Sequence, residues 1–321
     1  MTLRQRELIA YLLQGVLYLG IILFALYEFK RHTTPQPIFF TTAEIALKAG
    51  NESAARKEFD EALRQRPHDP TAYASVIDAC ITQNKPALEA EYAQRAVDAL
   101  TSQPPEVRAA MYQTLASAYS QIDHSPHLLR AISAAKRALD LVPESRVMQN
   151  EYGYLLADNS LGRGPDVDTA LAILKKALDG IKSGKPIAGE EQLGPMFVAE
   201  TEDSYGWALY KDEQYADALT ALNQALEDYP DNAPGDDRKV LYYHLGMVYN
   251  KLSRRDQASN AFNSALAYDA KYADALAALA RANPPVPVPV STAPTGAPAT
   301  NKTSSVLNQG LSASTPLDKK K

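Results

Sequence analysis

The side chains that could do chemistry are few and scattered. His124 and His127 share one short turn, DHSPH, where two imidazoles can hold a divalent cation. No cysteine and no HExxH partner accompanies them, so no resident metal is expected. The run Gly180 to Lys185, GIKSGK, is superficially like a phosphate-cradling loop. It is one residue short, Pro186 stands where Ser or Thr would meet Mg²⁺, and no strand precedes it, so it reads as a helix end and loop. No serine sits in a G-x-S-x-G elbow. Cys80 is the single cysteine, which excludes an internal disulfide and any multi-cysteine metal site, and it reads as a small buried apolar residue. The expectation is a protein that is not an enzyme, with no catalytic residues, no cofactor and no metal.

What remains is a surface for partners, and the elements must be found that would carry it. A net charge of −5 over 321 residues gives no broad basic surface, so nucleic acid is not an expected partner. The clearest pattern lies between Tyr242 and Ala265. Tyr242, Leu245, Gly246 and Tyr249 are followed by Ala258, Phe262 and Ala265, a large–small alternation that lets two short antiparallel helices nest. Weaker copies precede it. An alanine followed by an aliphatic residue closes each second helix: Ala62-Leu63, Ala96-Val97, Ala138-Leu139, Ala177-Leu178, Ala225-Leu226 and Ala265-Leu266. Their separations are 34, 42, 39, 48 and 40 residues, exceeding 34 where loops are inserted.

This spacing resembles the tetratricopeptide (TPR) repeat, a helix–turn–helix unit of about 34 residues that must stack on copies of itself to bury its apolar face. The resemblance covers about residues 38–283. It implies an all-α, right-handed solenoid of about six repeats with a capping helix at Tyr272 to Ala282. Repeat two is the least typical copy, because bulky Ile77 stands where the motif prefers a small residue. Asp166 or Asp168 can cap the second helix of repeat four. Residues 183–195, SGKPIAGEEQLGP, read as an irregular connection, either a hinge or a partner-contacting loop.

Outside the solenoid the chain divides simply. After a short tail of residues 1–8, residues 9–29 are apolar apart from Gln14 and Glu28 and are long enough to cross a bilayer as a transmembrane helix. Gln14 can hydrogen-bond to a neighbouring helix, which allows a homo-oligomer. Residues 30–37 read as a linker, stiffened by two prolines. Arg4 and Arg6 before the span balance Lys30 and Arg31 after it, so charge alone leaves the orientation open. Resemblance to small bacterial anchored repeat proteins implies an inner-membrane protein with the repeats outside the cytoplasm. Residues 284–321, rich in Pro, Ala, Ser and Thr, read as a disordered tail.

In the TPR family the first helices line a concave groove, and repeat positions two, five, nine, twelve and thirteen commonly meet the ligand. Carried over by alignment, these positions include Tyr154 in repeat four and Trp207, Tyr210 and Lys211 in repeat five. Repeat six contributes Tyr243, Met247, Asn250 and Lys251. The resemblance therefore implies a partner-binding groove for a protein or peptide, with rings and a methionine as anchors. In repeat three the corresponding positions hold Gln113 and Ser117, which offer no positive charge for a terminal carboxylate and argue against a chaperone-tail receptor. Two roles follow: a membrane-anchored scaffold that assembles a complex, or a membrane receptor that passes client proteins to a translocation or protease machine.

Overall fold

Pro70, Pro86, Pro105, Pro165 and Pro195 each stand in the first turn of a helix, where a missing N–H costs nothing and a fixed φ suits the helical start. The computed structural model describes residues 36–122, 125–185, 187, 190, 193–230 and 235–282. The expected span at 9–29, His124 and the tail from 284 lie outside these residues. The described residues form thirteen helices and no strand. The first six are α1 (Gln36–Lys48), α2 (Glu52–Gln65), α3 (Pro70–Thr82), α4 (Pro86–Ala99), α5 (Pro105–Ser120) and α6 (Ser125–Leu141). The rest are α7 (Arg146–Asn159), α8 (Pro165–Lys182), α9 (Pro195–Lys211), α10 (Tyr215–Asp228), α11 (Gly235–Lys251), α12 (Arg255–Tyr268) and α13 (Ala273–Ala282).

Helices pair in order as α1–α2, α3–α4, α5–α6, α7–α8, α9–α10 and α11–α12, with α13 closing the stack against α11 and α12. This is the expected ladder of six hairpins and a terminal helix. Each second helix also packs on the first helix of the next pair, and α7, α9, α11 and α13 touch in succession. Helix α1 begins at Gln36, inside the segment read as linker, because proline is tolerated in a first turn.

Four hairpins share one turn. Gly50, Asn84, Glu213 and Ser253 each take a positive φ, between 49° and 74°. The next residue's N–H donates to the carbonyl five positions back: Asn51 to Ala46, Lys85 to Cys80, Gln214 to Leu209 and Arg254 to Tyr249, at 2.8–2.9 Å. This left-handed closure satisfies carbonyls that the end of the first helix leaves open. Only Gly50 announces it in the sequence.

The small–large rule governs the hairpin interiors. A methyl group added at Gly246 would lie 2.4 Å from the Phe262 ring, and one at Gly206 would lie 2.7 Å from Leu222. Phe262 and Leu222 are fully buried in the space those glycines leave. Repeat two obeys the same rule in reverse: Ile77 is buried at the small position, and Ala93, in the same apolar cluster, occupies the large one. Volume is conserved across the interface, which is what close packing requires.

Two local expectations need correction or completion. The N-cap of α8 is Gly164, so Asp166 and Asp168 lie inside the first turn and act on the helix dipole instead of capping it. From the connection between repeats four and five, Glu190 reaches the start of α7. The Glu190 carboxylate accepts from the Ser145 hydroxyl and from the N–H groups of Arg146 (3.2 Å) and Val147 (3.3 Å), capping that helix. Gly180–Lys185 is a helix end and turn, with Ser183 as C-cap and Gly184 at φ +64°.

Candidate functional site

Helices α9 and α11 run side by side, and side chains from their C-terminal halves converge on one cleft. Trp207, Tyr210 and Lys211 come from α9, and Tyr243, Met247 and Lys251 from α11. The turn after α7, Ser160 to Gly162, and the turn residues Glu213 and Tyr215 complete a space of about 290 Å³. Six of the eight residues expected in the groove therefore line a single cleft. Tyr154 and Asn250 do not. Asn250 is exposed, and Tyr154 is half-buried, its ring centre 6.5 Å from that of His244.

Trp207 is the floor of this cleft, not a projecting anchor: only 4% of its surface is exposed. Its indole is held between Tyr210, stacked at 4.7 Å with 5° between planes, and His244, stacked at 4.1 Å with 15°. The indole N–H donates to Asp158 Oδ1 at 2.9 Å, so the one polar atom of the ring is satisfied. His244 is 2% exposed, and its Nδ1 lies 2.8 Å from Asp203 Oδ1. An ionised carboxylate can only accept, so Nδ1 carries the hydrogen. Asp203 and Trp207 stand one turn apart on α9, and together they fix one edge and one face of the imidazole.

Lysine plays a different part from the one its position implied. Lys211 Nζ donates to the carbonyls of Asp158 (2.8 Å) and Ser160 (3.2 Å) and sits 5.1 Å from the indole centre. Burial lowers its ammonium below the usual lysine range. It ties α9 to the turn after α7, and it forms part of the wall. Lys251 is exposed, with Nζ 5.8 Å from the Tyr215 ring centre, and stands at the rim as a solvated charge. Burial pushes the Tyr210 phenol up to about 12 and raises that of Tyr243, so both remain O–H donors at neutral pH.

The walls available to a ligand are thus the half-buried faces of Tyr210, Tyr243 and Met247, over a rigid indole floor. Such a cleft suits an apolar side chain with a polar backbone beside it. Sequence reasoning missed His244, Asp203 and Asp158. The signal was the lone tryptophan itself, since a buried indole N–H requires an acceptor and Asp158 ends the preceding first helix. Far from the cleft, His127 packs its ring 5.7 Å from that of Tyr119. Among the described residues no group of three or more His, Cys, Asp or Glu could hold a metal ion.

The tetratricopeptide repeat model matches residues 40–104 and 206–233. No curated protein matches the sequence. Among solved structures, the chain is similar to one in the APC/C hetero-tetramer Cut9–Hcn1, at 19% identity and a TM-score of 0.53. That match takes in 81% of this chain but only 45% of the other, less than half its length. Similarity to pilF of Pseudomonas aeruginosa is at 15% identity and TM-score 0.45, over 77% and 97% of the two chains. For YrrB, described as a TPR protein with an unusual peptide-binding site, the values are 17% and 0.40, over 68% and 96%. The chain thus carries tetratricopeptide repeats over residues 40–104 and 206–233, and its ladder of six nested hairpins has the fold of that repeat.

Proposed function

We propose that this chain is a membrane-anchored scaffold that holds a segment of another protein in the cleft between α9 and α11, so assembling a complex at a membrane. The observation that supports the reading is the convergence of Tyr210, Tyr243 and Met247 over the buried indole of Trp207. Rigid rings contribute contact area at low entropy cost, and a floor already fixed by Asp158 and His244 has no freedom left to lose on binding. Residues 9–29 supply the anchor in this reading, in a bacterial inner membrane with the repeats outside the cytoplasm. Among the described residues no helix is long and apolar enough to cross a membrane.

The test is crosslinking of the full chain in its native membrane, followed by identification of what is recovered, with Tyr243→Ala and Met247→Ala compared with the parent. Loss of one particular partner by about tenfold or more in both variants, at unchanged helicity, is the expected result. Equal recovery of every crosslinked protein would remove the cleft from the reading. Protease accessibility of the repeats in spheroplasts tests their side of the membrane independently.

A further inference from the structure

Helix α1 is the first of the described helices, and its outward face carries two large apolar side chains. Ile38 and Ile45, seven residues apart and so on one face, are 51% and 63% exposed. Thr42, exposed between them, donates its hydroxyl hydrogen to the Ile38 carbonyl at 2.8 Å, so its polar group is satisfied within the helix. A terminal repeat of a solenoid ordinarily turns a polar face to water.

The later first helices show what this face is built for. Ile38 and Ile45 stand five residues before and two residues after Ala43, the small residue of the first hairpin. Thr201 and Ala208 hold the same register around Gly206, and Leu241 and Val248 hold it around Gly246. All four are fully buried. Leu241 and Val248 share an apolar cluster with Leu222 and Ala225 of the preceding hairpin. The face that α1 leaves open is therefore the hairpin-to-hairpin interface of the ladder, carried one step further.

The partner that fits is a helix like α1 itself. β-Branched isoleucines at heptad spacing favour two parallel strands. In the membrane-anchored reading, residues 30–35 alone separate the span from α1, a reach of about 20 Å at full extension. Two copies in one bilayer then present α1 at the same height and in the same sense. A pair of this kind is isologous, and Ile38 and Ile45 of one copy face their own counterparts.

We propose that a second copy of this chain covers the outer face of α1, forming a parallel two-fold pair with Ile38 and Ile45 along its seam. Only the parallel sense rests on the anchored reading, and the α9–α11 cleft takes no part in the pairing.

The experiment uses the full chain in lipid vesicles. Cys80 is fully buried, so an introduced surface cysteine is the reactive one. Under mild oxidation Ile45→Cys is expected to give a disulfide-linked dimer, at least tenfold more of it than Ile81→Cys on α3 or Leu276→Cys on α13, both exposed positions. Ile38→Glu combined with Ile45→Glu should weaken the dimer at least tenfold in sedimentation of the detergent-solubilised chain, at unchanged helicity. Tyr243→Ala should leave it intact. Equal linking at the three cysteine positions would overturn the proposal. So would a link formed only when Ile45→Cys and Leu276→Cys are combined, which marks head-to-tail stacking. A fluorophore on Ile45→Cys that is quenched by spin-labelled lipid, without any dimer, would make the bilayer the cover and overturn it equally. If alkaline washing strips the chain from the vesicles yet the Ile45→Cys dimer forms, the anchor falls and the pairing stands; a retained chain without a dimer has the opposite meaning.

Discussion

The first three hairpins and the last three are built on one backbone plan and differ in what fills their first helices. In α1–α6 the buried core is alanine and aliphatic side chains, with Phe59 and Tyr92 as an edge-to-face pair at 5.5 Å. At the ninth repeat position stands Ser117 in α5, Trp207 in α9 and Met247 in α11. From α9 onward that position and its neighbours form a continuous set of rings, Tyr210, Trp207, His244 and Tyr243, reaching Phe262 and Tyr272. The comparison shows that hairpin nesting depends on positions inside each pair, whereas the groove depends on positions between pairs. The second set can change without disturbing the first. Buried titratable groups occur in both halves. His244 meets Asp203 in the second half, while in the first half burial alone raises the Glu89 carboxyl to about 7.

The sharpest way to break this comparison is Phe262→Ala, which empties a fully buried ring site under Gly246. A loss of about 3–5 kcal/mol is expected, confined to the last hairpins, because repeat stability is a sum of local and nearest-neighbour contributions. Hydrogen exchange should show protection lost in α11–α13 and kept in α1–α6. Gly246→Ala comes next. Its methyl would meet the Phe262 ring at 2.4 Å, and overpacking of about 1–3 kcal/mol outweighs the gain of about 1 kcal/mol in helix propensity. Denaturant melts would read a net loss; a gain would mean that the ring relocates freely.

Glu89 gives the first half a pH signature. Its folded pKa of about 7 lies above its ordinary value, so the protonated form is favoured in the native state. Stability is then fully present below about pH 4.5, falls as the pH rises through 7, and is regained at pH 8 by Glu89→Gln to the extent of about 1–2 kcal/mol. Urea melts of the two chains at pH 5 and pH 8 check both the sign and the size. The smallest effect is expected from Lys251→Gln at the exposed rim of the cleft, with stability unchanged within about 0.5 kcal/mol. Partner association should slow at low salt and the difference vanish at high salt, because a solvated rim charge acts through screened attraction.

Much of the fold was legible in advance because hairpin nesting is written in residue size at fixed spacing. Gly206 and Gly246 oppose Leu222 and Phe262, and the alanine closing each second helix is buried in all six copies. Three of the four shared turns were not legible, since Asn84, Glu213 and Ser253 adopt a left-handed conformation that their side chains do not demand. Nor was the cap on α7, because Glu190 reaches it from a segment 44 residues further along the chain than Arg146. For the candidate site, alignment brought six side chains to one cleft but assigned several of them the wrong work. Trp207 became floor, Lys211 became a tie to carbonyl groups, and Tyr154 and Asn250 fell outside.

The sequence by itself determined that the helices pair and how many times, because volume complementarity within a hairpin is local and repeats at short range. Only the tertiary structure decided which groups line the cleft. That outcome depends on contacts between hairpins about 40–50 residues apart, such as Trp207 with Asp158 and His244 with Asp203. No periodicity records them, and each consumes a polar group that would otherwise have been free to bind.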